Sequence, residues 1–306
     1  MFAIADSQNA SNASIATRNR LAKRETPPPK DAAGKIFDEA VDSIESKFHY
    51  AFLSTSNLRK KLQRVHAKHA GNTTIRLVVT GVNEEVVDAA MRTLPFRPFL
   101  RVWFESDTAI IRMIMPSGHH EITCGQFNNE IVGQILQIPG HNPRSFRAVG
   151  ATRFHSPGRR SKEGDAGFKC ASRTGIQDWP NLMIEVGYSE PLSQLHLDAK
   201  WWLVASNSQT RMVIIILVST NPNSLHIKVW EMQANPNRRT PRSPANIPTV
   251  SYALDIDGAG TVNSPNGSLT IPYTVLFDNP HPNAQDIVFN TAELSTIAVH
   301  IFNGFQ

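Results

Sequence analysis

Cysteine is nearly missing: Cys124 and Cys170 are the only two in 306 residues. Two cannot make a disulfide framework, and nothing around them has the spacing of a zinc site. A reducing compartment is the simplest expectation. Long apolar runs are missing too. The longest, Met212 to Val218, falls far short of the ~20 residues that a membrane-spanning helix needs, so no membrane partner is expected. The opening MFAIADSQNASNAS has no apolar stretch behind a basic start, unlike a secretory signal. The expectation is an intracellular protein, cytoplasmic or nuclear and not secreted. On that expectation Asn-x-Ser/Thr triplets, those at Asn9, Asn12 and Asn72 among them, carry no meaning. G-x-S-x-G, Walker and H-E-x-x-H motifs are absent, and Gly258-Ala259-Gly260 is a turn rather than a dinucleotide fingerprint.

The apolar share of 41% is slightly low and 20 prolines are many, so part of the chain is loop or linker. The net charge of +5, with pI near 9.3, is mild. It fits a polyanionic partner without requiring one.

Residues 1–34, with Pro27-Pro28-Pro29 and the basic cluster Arg18, Arg20, Lys23 and Arg24, lack a buried face and read as a disordered tail. An N-terminal α/β region covers 35–117. Ile36, Phe37, Val41, Ile44 and Phe48 recur at helical spacing. Leu58, Leu62 and Val65 mark a second helix whose other faces carry Arg59, Lys60, Lys61, Arg64 and Lys68. That helix is either an amphipathic one with a charged outer face or one that lies on nucleic acid. Strands are expected at Ile75–Thr80, Leu100–Phe104 and Ala109–Met115, with a short helix over Glu84–Thr93.

A core is expected over 118–232. Gly118 opens a helix bearing Ile122, Phe127, Ile131 and Ile135. Short strands follow at Val149–Phe154, after Asp165 through Lys169, and at Leu182–Val186, with a basic loop at Pro157–Lys162. Pro191 opens a helix, and Arg211–Ser219 and Leu225–Met232 are strands. Residues 233–249 read as a basic, proline-rich linker or loop. Residues 250–306 form a β-rich extension, with strands near Tyr252–Ile256 and Gly267–Phe277 and a helix or strand over Thr291–Ile301.

Glu185 sits alone among apolar neighbours in LMIEVGY. Burying a charge is costly, so it needs a cation such as Arg153 or Arg160, a metal, or an exposed strand end. A hard divalent cation, Mg²⁺ or Mn²⁺, takes carboxylate oxygens together with water and phosphate. It then polarises phosphate and acidifies water. Asp165 lies at the start of the strand before Glu185, and a hairpin would set the two side by side. Lys200 on the next helix and Glu121 on the first could complete such a site. The histidines 119 and 120 have no third ligand at fitting spacing and read as surface or capping residues. Ser189 and Glu190 read as helix-capping residues. Of Trp201 and Trp202, at least one packs in the core, and the other packs there or stacks on a base.

The runs Ser161-Lys162-Glu163-Gly164-Asp165, Glu185-Val186-Gly187-Tyr188-Ser189-Glu190 and Asp198-Ala199-Lys200-Trp201-Trp202-Leu203 together resemble the PD-(D/E)xK nuclease-like superfamily, above all a group of uncharacterised fungal proteins of that type. The likeness covers about a third of the chain. It implies an α/β (α+β) fold with a restriction-endonuclease-like core, a mixed sheet flanked by helices. It implies Asp165 and Glu185 as Mg²⁺ or Mn²⁺ ligands, Glu121 assisting, Lys200 as the displaced lysine, and DNA or RNA as partner. Arg159, Arg160 and Lys162 would touch phosphates. Two positions depart from the pattern: Gly164 replaces the proline before the first acid, and Gly187 replaces the usual lysine. A catalytically inactive core serving as a nucleic-acid- or protein-binding module is the alternative.

Overall fold

The computed structural model describes residues 31–69, 74–114, 118–188 and 190–303. Along the chain these form α1 (Ala32–Asp42), β1 (His49–Ala51), α2 (Thr55–His69), β2 (Ile75–Thr80), α3 (Glu84–Met91), β3 (Leu100–Glu105), β4 (Thr108–Met113) and α4 (Gly118–Gln137). Next come β5 (Phe146–Val149), β6 (Arg153–Ser156), β7 (Arg160–Glu163), β8 (Ala166–Cys170), β9 (Leu182–Tyr188), α5 (Leu192–Ala205), β10 (Met212–Thr220) and β11 (Asn223–Ala234). The chain continues through β12 (Asn246–Asp257), β13 (Val262–Asn263), β14 (Leu269–Ile271), α6 (Tyr273–Leu276), β15 (Ile287–Phe289) and α7 (Thr291–Asn303).

Two mixed sheets with flanking helices carry the fold. One has the order β1-β2-β4-β3-β7-β6, the other β13-β12-β11-β10-β9-β8-β5. Helices α1 and α5 lie between them. Phe37 of α1, Trp201 and Trp202 of α5, Trp103 and Ile110 of the first sheet, and Met183 and Val213 of the second share one buried cluster. Period-two alternation sends Leu77, Val102 and Ile111 to the opposite face of the first sheet, where α2 and α3 cover them. In the second sheet it sends Ile184, Ile214 and Ile227 to the face covered by α4 and α7. Strands β9 and β10 are parallel and buried on both sides, which is why both read as nearly unbroken apolar runs. Asp31 and Asn83 cap α1 and α3 by accepting the free N–H groups of Gly34 and Val86.

The expected segments at 35–117 and 118–232 interlock rather than form separate layers. Strands β6 and β7 from the second segment extend the sheet begun by the first, with β7 pairing β3. The chain crosses between sheets at Gly164-Asp165, between β7 and β8. The expected basic loop at 157–162 is partly strand β7, because Ser161 and Lys162 pair with β3 and are buried. The single expected strand over 149–154 is two, split by a turn at 150–152. The expected linker at 233–249 is the end of β11, a turn and the start of β12, closed by an Asn235 N–H to Ala245 carbonyl bond of 2.9 Å. Its prolines lie in the turn or on the outer strand, where a missing N–H costs no ladder bond. The expected strand over 267–277 is only β14 followed by one turn of helix. The terminal segment is helical. No helix among the described residues is long and apolar enough to cross a membrane. The basic cluster at 18–24 and Ser189 lie outside the described residues.

Candidate functional site

The site begins as a row of arginines. Strands β2, β4 and β3 are antiparallel neighbours, and their register sets Arg112 opposite both Arg76 and Arg101. All three are buried on the face that looks toward α5. Lys162 of β7, opposite Trp103, joins them. Like charges placed side by side across strands repel, so such a row needs anions in front of it. The second sheet and α5 supply them: Asp165 before β8, Glu185 in β9, Glu190 before α5 and Asp198 within it. Four cations meet four carboxylates between two sheets.

Arg112 is the centre. Its Nη2 donates to Asp165 Oδ1 at 2.5 Å and to Glu185 Oε2 at 3.2 Å, so one nitrogen bridges both acids. Its Nη1 stands 3.8 Å from both Glu190 Oε1 and Asp198 Oδ2. Arg76 grips Asp198 Oδ2 at 2.6 Å and Glu190 Oε2 at 3.0 Å. Lys162 Nζ donates to Asp198 Oδ1 at 2.5 Å, lies 3.7 Å from Glu185 Oε1, and sits 4.7 Å above the Trp103 ring. The Trp202 indole N–H donates to Glu185 Oε1 at 2.6 Å. Asp165 Oδ2 accepts the Val186 backbone N–H at 3.0 Å and faces His120 Nε2 at 3.5 Å. The side chains of Asp165, Glu185 and Asp198 are fully shielded from solvent, and that of Arg112 is 5% exposed.

Burial and pairing pull the acids apart. Desolvation pushes the Glu185 carboxyl up to about 7, outweighing Lys162 and Arg112. Desolvation also raises Asp165, but Arg112 and His120 more than cancel it and hold it well below the usual carboxylate range. Asp198 is likewise drawn down, by Arg76 and Lys162 against its desolvation. Desolvation disfavours the His120 imidazolium, yet Asp165 and Glu121 raise it to about 9.

Of the residues read from the sequence, Asp165 and Glu185 come together, because β8 and β9 pair with Ala166 opposite Ile184. Lys200 does not join them. It lies on α5 near His196, whose ring is depressed by desolvation, Lys228 and Lys200. Asp198 and Trp202, four residues apart, take the acid-facing stripe of the helix instead. The ammonium near Glu185 is that of Lys162, so Lys162 is not a surface phosphate contact. Arg160 is also engaged, by Glu105 at 2.7 Å and Asp31 at 2.6 Å. Arg159 is exposed in a turn at φ 60°. Glu121 is 56% exposed and bonds His120 Nδ1 at 3.2 Å, so it reaches Asp165 only through that ring. His120 is therefore buried rather than a surface residue, while His119 stacks on Tyr188. Glu190 is a buried partner of Arg76 rather than a cap. Both Trp201 and Trp202 are buried. Arg153 pairs with Glu84, Asp88 and Glu163, not with Glu185.

The departing glycines have steric causes. A Cβ at Gly164 would lie 3.1 Å from Trp202, with the Met183 methyl closer still. A Cβ at Gly187 would lie 2.6 Å from Leu195 and 3.1 Å from Glu190. The place where the motif's lysine would stand is filled by Glu190 and Leu195.

A divalent cation held by Asp165 and Glu185 does not fit these residues. Each oxygen of both carboxylates already accepts a donor, and the Arg112 guanidinium stands between them. No group of three or more His, Cys, Asp or Glu suited to a metal occurs among the described residues. No protein-family model matches the chain, and no curated protein matches it.

Proposed function

We propose that this chain is a catalytically inactive nuclease-like fold that serves as a nucleic-acid-binding module. The reading rests on one observation: a guanidinium bridges the two acids that a PD-(D/E)xK-like core would offer to a metal. A buried arginine supplies the positive charge at that point permanently. The cluster then closes on itself as a structural ion-pair core. Replacing such a buried pair whole by apolar groups can be neutral, whereas removing one partner leaves an uncompensated charge inside.

The binding half of the reading is supported by how charge is distributed. No acid occurs between Glu45 and Glu84, nor between Glu231 and Asp255. Within the first span, α2 presents Lys60, Arg64 and Lys68 to solvent, and no carboxylate partner among the described residues neutralises them. Cations without local counter-charge release condensed ions when they meet phosphates.

The test combines binding and cleavage. Fluorescence anisotropy with short labelled DNA and RNA should show salt-sensitive binding. Incubation with Mg²⁺ or Mn²⁺ should leave those strands intact. Cleavage that needs the metal and disappears in Asp165→Ala/Glu185→Ala would reinstate a metal-dependent phosphodiesterase. Failure to bind any nucleic acid at low salt would remove the binding reading.

A further inference from the structure

Within the acid-free span between Glu231 and Asp255, residues 232–248 form a two-stranded ribbon that extends beyond the end of β10. Strand β10 begins at Met212, opposite Glu231 of β11. Beyond that point β11 and β12 pair only with each other, through Met232 with Pro248, Gln233 with Ile247 and Ala234 with Asn246. The turn beyond is ordered by its own bonds. The Asn235 side chain donates to the Pro244 carbonyl at 3.1 Å and accepts the Asn237 N–H at 2.9 Å. The Ser243 N–H reaches the Thr240 carbonyl at 3.1 Å. Arg238, Arg239 and Arg242 stand exposed on this tip. None has a carboxylate partner among the described residues.

We infer that this ribbon is the element that contacts duplex DNA, entering its major groove with the three arginines against the phosphates and base edges. The inference rests on the nucleic-acid-binding reading above and names its contact and its partner. Two strands lie about 4.8 Å apart, and the B-form major groove, about 12 Å wide, admits a two-stranded ribbon. The A-form major groove of duplex RNA is too narrow and deep for it. Arginine forks suit phosphate oxygens and the guanine edge. Because the turn is already hydrogen-bonded, little backbone freedom is lost on docking. No acid lies on the tip to repel the polyanion.

The full chain and its Arg238→Ala/Arg239→Ala/Arg242→Ala variant decide it, by anisotropy on a labelled DNA duplex and an RNA duplex of the same sequence. The wild type should favour the DNA duplex. The triple variant should bind it on the order of tenfold more weakly, and its salt slope between about 50 and 200 mM should be shallower by about 2 to 3, near 0.9 for each phosphate no longer neutralised. Its melting temperature should match the wild type, since all three side chains are exposed. A Lys60→Ala/Arg64→Ala/Lys68→Ala variant serves as the comparison for basic charge elsewhere. Unchanged affinity and slope in the ribbon variant, with the wild type binding, would overturn the inference and leave the binding reading intact. Equal binding of both duplexes would overturn the groove assignment. A wild type that binds no nucleic acid would overturn both.

Discussion

Replacing Arg112 by methionine tests the ion-pair core directly. The substitution keeps much of the side-chain volume and deletes the charge that stands 2.5 Å from Asp165 and 3.2 Å from Glu185. Both carboxylates stay shielded from water, and Asp165 retains only Arg101, at 3.4 Å, as a nearby full cation besides His120. Removing one partner from a buried pair costs about 3–5 kcal/mol, because an uncompensated charge is left inside. At ~2–4 °C per kcal/mol for a domain near this size, the melting temperature should fall by about 10 °C. Trp103, Trp179, Trp201, Trp202 and Trp230 are all buried, so intrinsic fluorescence during urea unfolding reports the loss. Arg112→Lys keeps the charge but cannot bridge both acids, and should lose less. Adding Asp165→Asn to Arg112→Met should recover part of the stability, with a coupling of about 1–3 kcal/mol in the double-mutant cycle. A loss below about 1 kcal/mol in Arg112→Met, or strict additivity in the cycle, would refute the view that this guanidinium holds the acids together.

Stability should fall as pH rises from about 5 to 9. Glu185, raised to about 7 in the folded chain from 4.5, binds a proton that the unfolded chain has lost, so folding weakens as pH climbs through that window. His120, raised to about 9 from 6.5, contributes stability that is complete below pH 6.5 and lost as pH passes 9. Glu185→Gln should flatten the lower limb and His120→Asn the upper one in urea titrations; parallel curves for all three proteins would contradict this. Below about pH 4 the order reverses, since Asp165 and Asp198 are held low and lose their pairing as they protonate. Gly187→Lys, which puts a lysine where the PD-(D/E)xK pattern has one, should lower the melting temperature through its clash with Leu195 and Glu190 and yield no nuclease activity; a stable, active variant would show that the space can open. Asp278 accepts from Arg173, Arg211, Asn181, Ser172 and Cys170, tying the segment after β14 to the strands β8 and β9. Asp278→Ala should cost about 2 kcal/mol or more and speed proteolysis within 272–289, and unchanged cleavage there would argue against that tie.

Much of the fold was legible from pattern. The helical spacing of Leu58, Leu62 and Val65, and the apolar runs of β2, β9 and β10, each commit a segment to one element by burial alone. The cost of a lone charge in an apolar strand singled out Glu185, which is buried against Arg112 and Trp202. The same rule applies to Arg76 in IRLVVT and Arg112 in AIIRM, which a search aimed at acids passes over. The boundaries of β5 to β8 were less legible, because strands of four or five residues carry too little alternation to mark their ends.

The sequence by itself determined that several charges must be buried, since each stands among residues that belong inside. What it could not determine is which charge meets which. Arg112 and Glu185 are far apart along the chain, and their meeting depends on two sheets stacking about α5 in one register. Only that stacking places Lys162 rather than Lys200 beside Glu185, and a guanidinium rather than open space between the acids. Hydrogen bonds and close ion pairs form only between groups within about 4 Å of each other. The chemistry of this site therefore belongs to the packing of its layers and not to any motif along the chain.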